Sequence, residues 1–174
     1  PDDNRRSTRL EDYRLANAQW TAFREQGINQ LLEGVYHRLR QESPHVLMTI
    51  TVAANQETLV QNHFLDWQAW LAGHYVDLII PRAYVSEVEP LAPVIASWQP
   101  TLDRSSRLML GVSVYDHRRS QASKTSARLL AEIKEVYASN SNGVILFDLE
   151  GISDDGLVGL ANGPFSTPVP LDSQ

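Results

Sequence analysis

Residues 75–85 read YVDLIIPRAYV, a run in which Val76, Leu78, Ile79 and Ile80 leave little room for polar alternation. A strand with one face in water alternates apolar and polar residues. A near-continuous apolar run belongs instead to a strand buried on both faces, as in a parallel sheet covered by helices. The flanks agree. Upstream, Phe64, Trp67, Trp70 and Leu71 recur at helical spacing and Gly73 is a natural stop, which predicts a helix over 64–72. Downstream, Ser86 is placed to cap a helix whose first turn tolerates Pro90 and Pro93 and which carries Leu91, Val94, Ile95 and Trp98.

Outward from this unit the pattern repeats. Strands are predicted over 45–54 (HVLMTITVAA), 107–115 (RLMLGVSVY) and 143–150 (GVILFDLE). A helix over 125–138 is expected to bury Leu129, Leu130, Ile133, Val136 and Tyr137, and a short one to span 155–161. Ahead of the first strand, a helix over 15–41 places Ile28, Leu31, Leu32, Val35, Tyr36 and Leu39 on one face, and Ser43-Pro44 ends it. Residues 1–12, polar and charged, read as a surface loop. Residues 13–162 read as one α/β domain, and 163–174, with Pro164, Pro168 and Pro170, as a tail or linker. Strands about 30 residues apart suit right-handed βαβ crossovers. Two architectures meet this pattern: a small doubly wound sheet, and half of a (β/α)8 barrel, whose full form takes about 250 residues. Periodicity does not separate them.

Composition narrows the function classes. The net charge is −6 and the basic residues gather only as Arg5, Arg6 and Arg9 and as Arg118-Arg119, so no face suits a phosphate backbone and no nucleic-acid partner is expected. The chain has no cysteine, which removes disulfides, zinc thiolates and a thiol nucleophile. No apolar run approaches the roughly 20 residues of a membrane helix. No Gly-rich phosphate loop follows any predicted strand, which disfavours the doubly wound reading and its nucleotide ligand. The chain opens at Pro1 rather than Met, as a piece of something longer or a processed product would.

Local motifs then separate the two architectures. Trp20, Phe23, Arg24, Ile28, Leu31 and Val35-Tyr36 lie on the first helix, followed by Ser43-Pro44-His45-Val46 at the entry to a strand. Asp66-Trp67-Gln68-Ala69-Trp70-Leu71, the stretch from Gly73 to Tyr84, Leu110-Gly111-Val112-Ser113-Val114-Tyr115 and the strand from Gly143 to Phe147 come after. In order and spacing, over roughly Tyr13 to Leu160, these resemble the second half of the barrels of glycosyl-hydrolase-like family 10. The resemblance implies the C-terminal half of a (β/α)8 barrel and the hydrolysis of polysaccharide, bacterial cell-wall glycan among the substrates. It also implies an extracytoplasmic location, secreted or periplasmic. No cofactor is expected, since two carboxylates and a water suffice for this chemistry. The expected partners are a poly- or oligosaccharide and the N-terminal half of the barrel or a second copy. The family's upstream acidic strand motif, D-x-(I/L)-x-(L/F)-D-x-x-R-Y-P, is missing here; Pro1 reads as its last residue, which leaves the family's best-placed carboxylates outside these residues.

In a barrel, function gathers at the C-terminal strand ends. These ends are Asn55; Arg82 and Tyr84; Tyr115, Asp116 and His117; and Asp148 and Glu150. Alternation predicts that Arg82 and Tyr84 share one face and that Asp148 and Glu150 share another. An arginine in an apolar strand end must meet an anion or water, so Arg82 either binds substrate or closes the barrel top with an ion pair. Asp148 and Glu150 form a carboxylate pair of the kind a glycosidase needs, about 5 Å apart for retention and about 6.5–9.5 Å for inversion; the alternative is that they cap the last helix or pair with Arg82 or Arg118. Asp116-His117 reads as an acid/base pair or as a polar loop. Tyr84 and Tyr115 are sugar-contact candidates, with Asn55 and His117 as further substrate-binding positions. Trp67 and Trp70 read as core despite their aromatic faces, and Asp77, near the start of its strand, as structural. His37, His45, His63 and His74 lack metal-ligand spacing.

Overall fold

The structure, a computed structural model, describes residues 2–86, 89–99, 108–116, 122–139 and 141–167. They form two compact units interleaved along the chain. One holds the residues up to Met48 together with Asn55–Asp77; the other holds Thr49–Ala54 and the residues from Leu78 on.

The first unit is helical: α1 Asp2–Glu42, α2 Gln56–His63 and α3 Trp67–Ala72. Of the loop predicted over 1–12, the described residues, from Asp2 on, are helix instead. No glycine or proline interrupts Asp2–Gln26, and Arg, Leu and Glu are strong helix formers, so propensity carries the helix beyond its apolar stripe. The expected single apolar face of α1 is split. Ile28, Leu32, Tyr36 and Leu39 are half-buried, whereas Leu31 and Val35 are exposed. Asp77 fastens the C-terminal end of α1. Its carboxylate pairs with Arg40 and accepts the Met48 N–H at 2.6 Å, while Arg40 also donates to the carbonyls of Pro44 at 3.0 Å and Val46 at 2.8 Å. The helix predicted over 64–72 becomes two. Asn55 caps α2 by accepting the Thr58 N–H at 2.9 Å, Phe64 closes it in the left-handed region at φ 56°, and Asp66 restarts the chain by capping α3. Trp67 and Trp70 are core residues, and the Trp70 indole donates to Asn29 at 2.6 Å.

The second unit holds a four-stranded parallel sheet. Its strands are β1 Thr49–Ala53, β2 Leu78–Arg82, β3 Met109–Ser113 and β6 Gly143–Phe147, in the order β1-β2-β3-β6. Between β3 and β6 lies a short antiparallel pair, β4 Tyr115–Asp116 with β5 Ala122–Ser123. The helices are α4 Ala92–Trp98, α5 Ser126–Ala138 and α6 Asp154–Ala161. Each strand of the main sheet lies beside its sequence neighbour. That is the order of a (β/α)8 barrel, whereas a doubly wound sheet reverses direction at a switch point.

One face of the sheet packs on helices through Leu110, Val112, Val114, Leu129, Ile133, Val136 and Leu160, with Val144 and Leu146 beside them. The register sets Arg82 opposite Gly111, Gly111 opposite Ile145 and Ser113 opposite Phe147, so these share the other face. Gly111 sits where β2 and β3 approach closely: a Cβ there would stand 3.3 Å from the Pro81 carbonyl oxygen, a tight contact, and 3.5 Å from Ile80 Cγ2.

Three expectations for this unit are corrected. Ser86 does not cap α4, which starts at Ala92 behind Leu91; its N–H instead donates to the Glu89 carboxylate at 2.9 Å. Tyr137 is exposed rather than buried. The last strand ends at Phe147 and the chain turns at once into a 3-10 helix, Leu149–Gly151. Asp148 and Glu150 therefore do not alternate along a strand.

Candidate functional site

The C-terminal ends of β2, β3 and β6 bring together most of the expected residues. Arg82 closes β2 and is exposed, so its charge is answered by water; among the described residues it makes no ion pair. Two residues on, Tyr84 is half-buried and stacks on Phe147, ring centroids 5.8 Å apart and planes 20° from parallel. Burial raises the Tyr84 phenol above its ordinary range, and the nearby Arg82 charge opposes the shift.

Tyr115 and Asp148 meet directly. The Tyr115 hydroxyl donates to Asp148 Oδ1 at 2.8 Å, and the Tyr115 backbone N–H donates to Ser113 Oγ at 3.1 Å. Donation to the carboxylate raises the Tyr115 phenol, with burial and the charges of Asp148 and Glu150 adding to the shift. Asp148 follows a cis peptide bond after Phe147 and caps the 3-10 turn, its Oδ1 also accepting the Gly151 N–H at 3.2 Å. Gly151 lets the turn press on Tyr115, since a Cβ there would fall 2.7 Å from the tyrosine ring. A carboxylate that accepts a phenol and a backbone N–H is fixed in direction.

The remaining candidates separate. Glu150 is exposed on the same 3-10 turn. Asp116 is buried at 4% exposure in β4, so the polar-loop reading does not hold for it. His117 and Arg118 lie outside the described residues. Asn55 spends its side chain capping α2, in the other unit. Among the described residues no cluster of His, Asp and Glu is placed to hold a metal ion, and no helix is long and apolar enough to cross a membrane.

Sequence reasoning passed over Phe147, which reads as one more apolar strand residue, and a buried ionic cluster of Lys124, Arg128 and Glu132. The cluster did leave a signal. Glu132 sits inside the stripe of Leu129, Ile133 and Val136, where an unpaired charge has no place.

The family model for glycosyl hydrolase-like 10 matches residues 3–121. No curated protein matches the chain in sequence. Among solved structures, a bee venom hyaluronidase in complex with a hyaluronic acid tetramer is similar in fold, at a TM-score of 0.50 and 12% identity over 75% of this chain. The similarity covers 48% of the hyaluronidase, so the chain spans about half the length of that barrel.

Proposed function

The chain belongs to glycosyl-hydrolase-like family 10, and on that premise we propose that it serves a glycoside hydrolase acting on polysaccharide, bacterial cell-wall glycan being the favoured substrate. The observation that carries this reading is the Tyr115–Asp148 pair, a carboxylate held in a fixed direction at the end of the last barrel strand. In this reading Asp148 and the exposed Glu150 supply carboxylates to the scissile bond, together with an acid from the first half of the barrel. Arg82 and the Tyr115 hydroxyl meet sugar hydroxyls, while the Tyr84 and Phe147 rings offer an apolar surface to the pyranose face. Asp116, buried beside Tyr115, acts by position rather than by touching sugar. The working partner is the N-terminal half of the barrel or a second copy, and the setting extracytoplasmic, secreted or periplasmic.

The test is to incubate the full-length parent with purified peptidoglycan and follow the release of reducing ends. Wild type should release them, and Asp148→Asn should lose on the order of 100-fold or more in rate. Absence of release by folded wild type would overturn the reading. A second reading, a non-catalytic carbohydrate-binding domain, draws on the exposure of Glu150, which leaves Asp148 as the one strand-end carboxylate fixed by these contacts. It predicts sedimentation with peptidoglycan without release.

A further inference from the structure

Lys124 and Glu132 are both 0% exposed, and the lysine Nζ donates to Glu132 Oε1 at 3.0 Å and Oε2 at 2.9 Å. Arg128 Nε donates to the same Oε1 at 2.7 Å, and the far end of its guanidinium donates to the Glu89 carbonyl. Glu89 in turn accepts the Ser86 N–H, two residues beyond Tyr84. On the other side, Lys124 directly follows β5. Its backbone N–H donates to the Val114 carbonyl at 2.8 Å, and β5 sets Ser123 opposite Tyr115 and Ala122 opposite Asp116. One carboxylate on α5 thus ties down both segments that leave β2 and β3 toward the site.

Stability alone does not account for this cluster. Taking these charges out of water carries a desolvation penalty that their attraction only partly returns, and well-packed apolar side chains in such places are often as stable or more so. Here α5 already buries Leu129, Ile133 and Val136 around the glutamate. What the charges add is direction: a carboxylate bridged at both oxygens and a forked guanidinium admit one arrangement, where apolar packing tolerates several.

We propose that the Lys124–Glu132–Arg128 cluster is the positioning device of the site, setting the β4–β5 hairpin so that the Tyr115 hydroxyl meets Asp148. The inference rests on the proposed function only in taking that pair as part of the site. The experiment uses the full-length parent and the double variant Lys124→Met/Glu132→Leu, which removes both fully buried charges together. Three quantities are read: melting temperature, the alkaline absorbance titration of the tyrosines with Tyr115→Phe as the assigning control, and reducing-end release from peptidoglycan. Near-native melting is expected, with the Tyr115 titration moved down toward that of an ordinary phenol and release reduced on the order of tenfold or more. A native Tyr115 titration in the folded double variant would overturn the inference. Should the double variant fail to fold, Arg128→Lys decides, because it keeps the charge and loses the fork; it should move the titration the same way, and an unmoved titration would again overturn the inference. If wild type releases no reducing ends, the proposed function fails by itself, and the titration still decides for the cluster.

Discussion

A phenol that donates to a carboxylate gives up its proton reluctantly, and Tyr115 is such a phenol. Its folded-state titration lies above the unfolded one, so its contribution to stability is whole below about pH 10 and drains away as pH rises through the raised value. Melting temperature should therefore fall at alkaline pH less steeply in Asp148→Asn than in wild type. Equal slopes would mean that the pair is not formed in solution. Asp77 invites a different test, because its carboxylate serves both Arg40 and the Met48 N–H. Asp77→Ala strands both donors and should cost about 1–3 kcal/mol in denaturant unfolding. Site residues were legible to unequal degrees. Arg82, Tyr84 and Tyr115 follow from strand ends, which apolar runs mark well. The shared strand face expected of Asp148 and Glu150 is not formed, because alternation holds only while the strand lasts, and the Asp148 cap with Gly151 behind it turns the chain after Phe147.

Elements were read best where packing dictates periodicity. α5, with Leu129, Ile133 and Val136 on one stripe, runs Ser126–Ala138 behind its Thr125 cap, within one residue of the predicted 125–138. α2 went unread because Gln56–His63 carries little besides Leu59 and Val60 to set a period, and its existence depends on the Asn55 cap. The strands are shorter than their apolar runs, since residues such as Val76, Val85 and Val114 are buried beyond the ends of the ladder. Where β2 and β3 approach, the motif glycine has a physical reason. Gly111→Val places a branched side chain against the Pro81 carbonyl, which cannot give way without moving the strand. Destabilisation of about 1–3 kcal/mol is expected, read from the urea midpoint; a neutral result would refute the close approach.

At the scale of the whole molecule, the sheet ends in β1 on one side and β6 on the other, each paired along one edge among the described residues. Ile145 and Phe147 stand exposed on the face away from the helices. In the helical unit Trp20, Phe23, Leu31 and Val35 are exposed along α1. Open edges and apolar faces of this kind recruit other chains. Residues 1–174 expressed alone should therefore sediment as dimers or larger species; a monodisperse monomer with a single cooperative melt would count against a half barrel that needs completing.

The chain passes between its two units three times, at Met48–Thr49, Ala54–Asn55 and Asp77–Leu78. Neither unit is therefore a cassette. A recombination breakpoint anywhere between codons 49 and 77 would leave each product with part of both, so the pair is inherited together or lost together. The same weave orders events at the ribosome. β1 leaves the exit tunnel before β2 and cannot pair with it until residues 55–82 have been made.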